Sequence, residues 1–395
     1  MHVSRCKIQD TLKVPVLHVA LCILTLALIG CNTRPVGYDQ LSNRVSGASD
    51  TTLLPDSTAS YMRYVPLGGS SLLYLGRDAS YQSRIVMLFS IPDTMNLDSI
   101  TSCQLVLHPV DTLARMNFIC RPCSLAWLES GVSWQMADSS DHWLNPGGSF
   151  LPDTLASGTI TGDSAMIDMK YAGLDSARRA TIRTCGVILF PEDTGIVAIH
   201  AGVSTTSATS PRLRITYTSN GKQTQRIVND VGDASLIDTI ATQSEPGDLL
   251  VGSGVAYRTW LTFNIDSIPP QATIASAELK FRPMTLYRRT DTIILGASRL
   301  TQSFGQWGAG ARYESVPSAA SSYIVPADSD STVTIDIRSM VQIWTSHSDT
   351  LHNFGLVLTA APEWSALFRF QIPDRGADAP HLDIKYVLPP EDRFK

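Results

Sequence analysis

The sequence predicts an all-β protein built from two tandem antiparallel β-sandwich domains of jelly-roll type. Three observations carry that prediction. Long segments of the chain recur at a spacing of 169 to 174 residues, the recurring segments alternate apolar and polar side chains, and only two short stretches show helical spacing.

The repeat is read without gaps over its strands. Arg84 to Ile91 aligns with Arg258 to Ile265, and Ile100 to Pro109 with Ile274 to Pro283, both at an offset of 174. Further on, Cys185 to Leu189 meets Phe354 to Leu358, and Pro211 to Tyr217 meets Pro380 to Tyr386, both at 169. Leu54 to Ser60 also matches Leu236 to Thr242, which places the copies at 53–229 and 230–395. Within the copies, Ala277, Leu279 and Phe281 alternate with Glu278 and Lys280, and Leu382, Ile384 and Tyr386 with Asp383 and Lys385, the pattern of a half-buried antiparallel strand. Asn220-Gly221 between two alternating runs predicts a hairpin that extends the first copy. Helical spacing is confined to Leu174 to Arg183 and to Arg338 to Trp344, where Ile337, Met340, Val341 and Trp344 share one face. Copy two has no cysteine and enough residues for its own core, so a fragment from 230 to 395 is expected to fold alone.

The first 30 residues read as a targeting segment. Arg5, Lys7 and Lys13 precede an apolar stretch from Val14 to Ile29, too short for a membrane span of roughly 20 residues. It ends in Leu28-Ile29-Gly30-Cys31, which resembles the lipobox of bacterial lipoproteins. That resemblance implies cleavage before Cys31, lipidation of its thiol, and anchoring at the outer membrane or cell surface. Removing residues 1–30 takes away a net charge of +2 and moves the formal charge from −5 to −7. Residues 31–52, rich in Ser, Thr, Asn and Gly, read as a flexible tether.

The ordered set in copy two is Arg258 and Phe263, Leu279, Trp307, Asp336-Ile337, Trp344, Phe354-Gly355-Leu356 and the closing Pro380 to Tyr386. It resembles the DNRLRE domain, related to disaggregatase repeats and carbohydrate-binding modules. Copy one departs from it, with Ser176 or a neighbour in place of the helix tryptophan and Cys185 in place of the aromatic. The resemblance implies a sandwich fold in a surface-anchored protein that binds polysaccharide.

Charged residues are 17% of the chain and apolar ones 44%, which excludes wholesale disorder. The acidic balance and the lack of a basic run exclude a nucleic-acid binder that works by phosphate neutralisation. No hydrolase, metalloprotease or phosphate-loop motif is present, and Gly252-Ser253-Gly254 reads as a loop between strands. His108, His142, His200, His347, His352 and His381 are too scattered to suggest a metal site. Asp138-Ser139-Ser140-Asp141 and Asp328-Ser329-Asp330 could offer carboxylates to calcium, but both lack the glycine and distal glutamate of an EF-hand and read as solvated loops. Cys103, Cys120, Cys123 and Cys185 all fall in copy one. In an exported domain an even number suggests disulfides, with a bridge expected between the strand of Cys103 and that of Cys120 and Cys123. A four-sulfur zinc site and free buried thiols are the alternatives.

For a sugar site the candidates are Trp134, Trp143, Trp307 and Trp364, because carbohydrate recognition sets a flat aromatic face against sugar C–H groups. Trp134 and Trp307 are expected to cap the ends of the core; Trp143, beside Asn145-Pro146-Gly147-Gly148, is the best exposed candidate; Trp344 belongs to the core. The expected function is that of a non-catalytic surface lipoprotein binding polysaccharide or another glycan, without cofactor. A structural or adhesion protein contacting other envelope proteins is the alternative. A polysaccharide lyase or hydrolase is disfavoured because two copies fill nearly the whole mature chain.

Overall fold

A computed structural model describes residues 48–202, 208–240, 249–324, 331–346 and 351–389. The targeting segment, Cys31, the tether up to residue 47, His347 and Asp328 to Asp330 lie outside the described residues. The described residues open with β1 (Ala48–Leu53) and β2 (Ser57–Arg63), so the end of the expected tether is strand. There follow β3 (Leu72–Arg77), β4 (Tyr81–Phe89), β5 (Ile100–Leu107), β6 (Met116–Pro122), β7 (Ala156–Ile160), β8 (Ala165–Met169), helix α1 (Ser176–Cys185), β9 (Val187–Pro191), β10 (Gly195–His200), β11 (Arg212–Ser219) and β12 (Lys222–Thr239). The second half holds β13 (Leu249–Ser253), β14 (Ala256–Thr262), β15 (Thr273–Phe281), β16 (Met284–Arg288), β17 (Thr292–Arg299), helix α2 (Phe304–Trp307), β18 (Ala319–Ile324), β19 (Val333–Asp336), helix α3 (Arg338–Ser346), β20 (Leu356–Ala360), β21 (Phe368–Ile372) and β22 (His381–Val387).

The protein is all-β, as two antiparallel sandwiches. In the first, one sheet runs β7-β6-β9-β4 with β3 and β10 at its side, and the facing sheet runs β11-β5-β8. In the second, β16-β21-β13-β14-β20-β17-β18 faces β22-β15-β19. Between the facing sheets lie Ile85, Phe118 and Leu189 against Leu105, Ile167 and Leu213 in the first sandwich. Leu261, Phe263 and Phe370 meet Leu279, Ile335 and Leu382 in the second. The alternation of β15 is borne out, with Ala277, Leu279 and Phe281 all buried. Helix α3 turns Met340, Val341 and Trp344 into the core as its spacing predicts. The hairpin at Asn220-Gly221 is present, both residues having positive φ and Ser219 pairing with Lys222.

The ends of the two copies differ from the expected division at residue 229. β12 is one continuous strand that crosses between the sheets of the first sandwich. Its early part pairs with β11 and its later part, from Asp230 to Thr239, with β4. The corresponding strand of the second sandwich comes from the start of the chain: β1 lies beside β22, and β2 pairs with β14 from Ser57 to Arg63. The structural correspondence is therefore Ala59-Ser60 with Ala234-Ser235, Ser60 opposite Thr259 and Ser235 opposite Ile85. The register suggested by matching Leu54 with Leu236 is displaced from this by several residues.

One buried hydrogen-bonding need explains why a serine stands at that point in both copies. β3 pairs with β4 only at Gly76 and Arg77, and β13 with β14 only at Gly252. The backbone groups of Tyr74 and Leu250 lie just beyond these short ladders, where an unpaired buried group would be costly. Tyr74 N–H donates to Ser235 Oγ at 2.8 Å, and Leu250 N–H donates to Ser60 Oγ at 2.8 Å. Ser83 and Thr259 hydroxyls then donate to the carbonyls of Tyr74 and Leu250.

Residues 50–395 form a single unit, and the two sandwiches share a buried aromatic and aliphatic cluster. Tyr74, Tyr81, Ile196 and Ile237 of the first meet Leu250, Tyr257 and Leu367 of the second. Tyr81 packs edge-on to Tyr287, whose hydroxyl donates to Asp78 Oδ2 at 2.8 Å.

Deleting residues 48–63 should unfold the second sandwich and spare the first, so that limited proteolysis leaves a protected core of about residues 65–239; continued protection of 249–389 would contradict it. For the same reason, the fragment 230–395 lacks two strands and is no longer expected to fold alone. Phe263→Ala should lower stability by about 2–5 kcal/mol in denaturant unfolding, since the ring is 1% exposed between the sheets.

Candidate functional site

Both sandwiches cover the outer face of one sheet with a long connection, and the two covers differ. In the first, residues 123–155 between β6 and β7 lay Trp127, Val132, Trp134 and Trp143 over Val86, Ile188 and Leu236. In the second, the shorter connection 300–318 between β17 and β18 sets only Leu300, Ala311, Phe304 and Tyr313 against Val357, Tyr61 and Trp260. The aligned positions Val86 and Trp260 record the difference. Val86 is fully buried under its cover, whereas Trp260 is half-buried and its indole forms a wall.

Along the outward side of β14 stand Arg258, Trp260 and Thr262, the strand alternation setting all three on one face. Arg258 is buried and makes a two-pronged ion pair with Glu363, Nε to Oε1 and Nη2 to Oε2 both at 2.7 Å. Its guanidinium lies 5.3 Å from the centre of the Tyr313 ring. Burial works to lower the Arg258 pKa, and the hydrogen bond and charge of Glu363 more than offset it, so the group stays cationic. The counterpart in the first sandwich, Arg84, stacks instead on Trp134 and Phe190, at 5.0 and 4.7 Å, and donates to Gly147 O.

Two clefts open on either side of this outer cluster. The first, about 560 Å³, has as its wall the indole of Trp260 stacked on Phe304, ring centres 4.5 Å apart and 15° from parallel. Trp260 is fixed by its Nε1–H donating to Phe354 O at 3.0 Å. The rim carries Asp56, Asn264, Asp266, Ser303 and Asn353. Asn353 is committed to the backbone of Phe263 and Gly355, while Asp56, Asn264 and Asp266 are exposed. The second cleft, about 430 Å³, is lined by Trp364, Tyr313, Pro317, Pro362 and Glu363, with Val65 and Pro66 from the segment after β2. A related cleft of about 440 Å³ lies in the first sandwich at Phe190 to Thr194, the positions aligned with Thr359 to Glu363.

The structure divides the four candidate tryptophans. Trp307 is 59% exposed and Trp364 is 41% exposed, Trp364 lining the second cleft. Trp134 and Trp307 were expected to cap the ends of the core; Trp134 is instead buried over the outer face of its sheet, and Trp307 is exposed. Trp143 is the main correction: it is 5% exposed, and its indole N–H donates to Ser133 O at 2.9 Å, which removes it as an exposed sugar platform. The Gly147-Gly148 turn beside it lets the chain fold back over the sheet, both residues having positive φ. Trp260, Phe304 and Tyr313 were not singled out by the sequence. The readable signal was the substitution of an indole for Val86 at an aligned strand position.

The cysteines are also corrected. All four are free and buried. Cys103 on β5 and Cys120 on β6 belong to facing sheets, because β5 pairs with β11 and β8 while β6 pairs with β7 and β9. The cross-strand bridge therefore has no strand pair to span. Burial pushes the Cys103 and Cys123 thiols up to about 12 and Cys120 higher still, which keeps them protonated and unreactive. Asp138 closes a turn, its Oδ1 accepting from the N–H of Ser140 and Asp141. Among the described residues no three His, Cys, Asp or Glu side chains are arranged to hold a metal ion.

Reductant should leave the melting temperature unchanged, and all four thiols should react with an alkylating agent only after the unreduced protein is unfolded; loss of any of them to alkylation would point to a bridge. Compared with models of known protein families and with curated protein sequences, the chain matches none.

Proposed function

We propose that the protein is a non-catalytic, lipid-anchored surface protein that binds polysaccharide on the outer face of its second sandwich. The observation that carries this reading is the Trp260–Phe304 wall beside the exposed side chains of Asp56, Asn264 and Asp266. A fixed aromatic face offers a sugar ring its C–H contacts, and carboxylate and amide groups at the rim are the partners its hydroxyls need. The exposed rings of Trp307 and Trp364 widen the aromatic surface available to an extended chain. The resemblance to the DNRLRE domain points to the same ligand class, and the lipobox ending in Cys31 to a surface address.

Affinity electrophoresis through native gels holding xylan, polygalacturonate, hyaluronan or dextran tests the proposal. At least one polymer should retard the protein, and Phe304→Ala, with the circular dichroism spectrum preserved, should weaken binding about tenfold, equivalent to ~1.4 kcal/mol. Migration unaffected by every polymer, or retardation equal in the variant, would count against it. Cys31→Ala should release the protein from the membrane fraction.

A further inference from the structure

The bend of β12 gathers acidic groups that the clefts do not use. Asp230 pairs with Phe89 and Gly232 with Leu88, leaving Val231 as the extra residue of a bulge where the strand changes sheets. Asp230 and Asp233 both come against Gly202. The N–H of Gly202 donates to Asp233 Oδ2 at 2.6 Å, and a Cβ on Gly202 would stand 2.1 Å from Asp230 Oδ2. A side chain at Gly202 would displace the Asp230 carboxyl group. From the covering segment 123–155, the Glu129 side chain comes against Gly232, the chain neighbour of Asp233.

Asp233 is 1% exposed, and its Oδ1 meets no hydrogen-bond donor. The charged groups facing it are Asp230 from its own strand and Glu129 from the covering segment, while Gly202 presents an amide. None of these is a cation. Two ionised carboxylates held together in a buried site repel strongly, and the ordinary resolution is that one keeps its proton. A proton between them also supplies the hydrogen bond that the buried oxygen lacks.

We infer that Asp230 and Asp233 share one proton in the folded protein at neutral pH, forming an acid–carboxylate pair that fastens Gly202 and the covering segment to the bend of β12. Withdrawing that proton leaves two like charges at the bend and loosens this corner of the first sandwich. Burial, and after it the neighbouring carboxyl, raises the Asp233 pKa to about 8, and burial raises that of Asp230. In the unfolded chain both groups ionise near the usual value of about 4. The folded state thus binds more protons across that interval, so its stability falls as pH rises from about 4 towards 8 and levels off above it.

The test uses melting curves and infrared spectra of the whole protein. Wild-type protein should melt at a clearly lower temperature at pH 8 than at pH 5, and Asp233→Asn or Asp230→Asn should flatten that dependence. The C=O stretch of a protonated carboxylic acid should be visible in wild-type protein at pH 7, fade by pH 9, and be missing from Asp233→Asn at pH 7. Equal pH dependence in wild type and both variants, or no acid band at pH 7, would overturn the inference. A rise in melting temperature with millimolar calcium at pH 8, lost in Asp233→Asn, would overturn it in favour of a cation. Should Asp233→Asn fail to fold, the wild-type band and the Asp230→Asn curve decide.

Discussion

Each sandwich depends on one strand that serves both of its sheets. β12 does this for the first, continuing from its pairing with β11 into its pairing with β4. β1 and β2 do it for the second, from the opposite end of the sequence. The demand is set by backbone chemistry: the inner edges of β4 and β14 need a partner, and the N–H groups of Tyr74 and Leu250 need the serine hydroxyl that only the crossing strand brings. Because the second sandwich takes that strand from before the first, the chain is tied at both ends of the first sandwich. The aromatic cluster around Tyr81, Tyr257 and Tyr287 occupies the junction this creates.

The candidate site is a product of divergence on this shared frame. Both copies keep an arginine at the same strand position, half-buried Arg84 and buried Arg258, and stack an aromatic ring on it, Trp134 over Arg84 and Tyr313 over Arg258. What changed is the amount of cover. The longer segment of the first copy seals its sheet with three indoles, whereas the shorter one of the second leaves the Trp260–Phe304 pair at the edge of open space. The buried Arg258–Glu363 pair holds the β20–β21 turn in place between the clefts. Replacing such a pair with apolar groups often costs little, so its value lies in placing Tyr313 and Trp364 rather than in net stability.

Much of the fold was legible in the sequence because strand alternation is a local property. Ala277, Leu279 and Phe281 announced their own burial, as did the Met340, Val341 and Trp344 face of α3, and Asn220-Gly221 announced its hairpin. Strand exchange was not legible: similarity between Leu54–Ser60 and Leu236–Thr242 points to equivalent strands, but gives neither their register nor which body each one joins. The burial of Trp143 and the placement of Cys103 and Cys120 on facing sheets were hidden for a related reason. The first depends on how the long connection between β6 and β7 lies over its own sheet, the second on the crossing from β5 to β6 in the facing sheet, and neither spacing nor composition encodes those paths. The candidate site was legible in part, in Trp364 at the second cleft, while Trp260 needed the copies to be compared position by position.

The pairing of Ser60 with Thr259 joins residues 199 apart in the chain. A polypeptide emerging from its N-terminus at about 5–20 residues per second presents β2 roughly 10–40 s before β14 exists to receive it. Over that interval the first sandwich has all its own strands, β12 included, and can close. β2 is thus made long before its partner, and until β14 appears its unpaired backbone is open to any passing sheet edge. Its polar composition, Ser57-Thr58-Ala59-Ser60, suits a segment that must wait in solvent without aggregating.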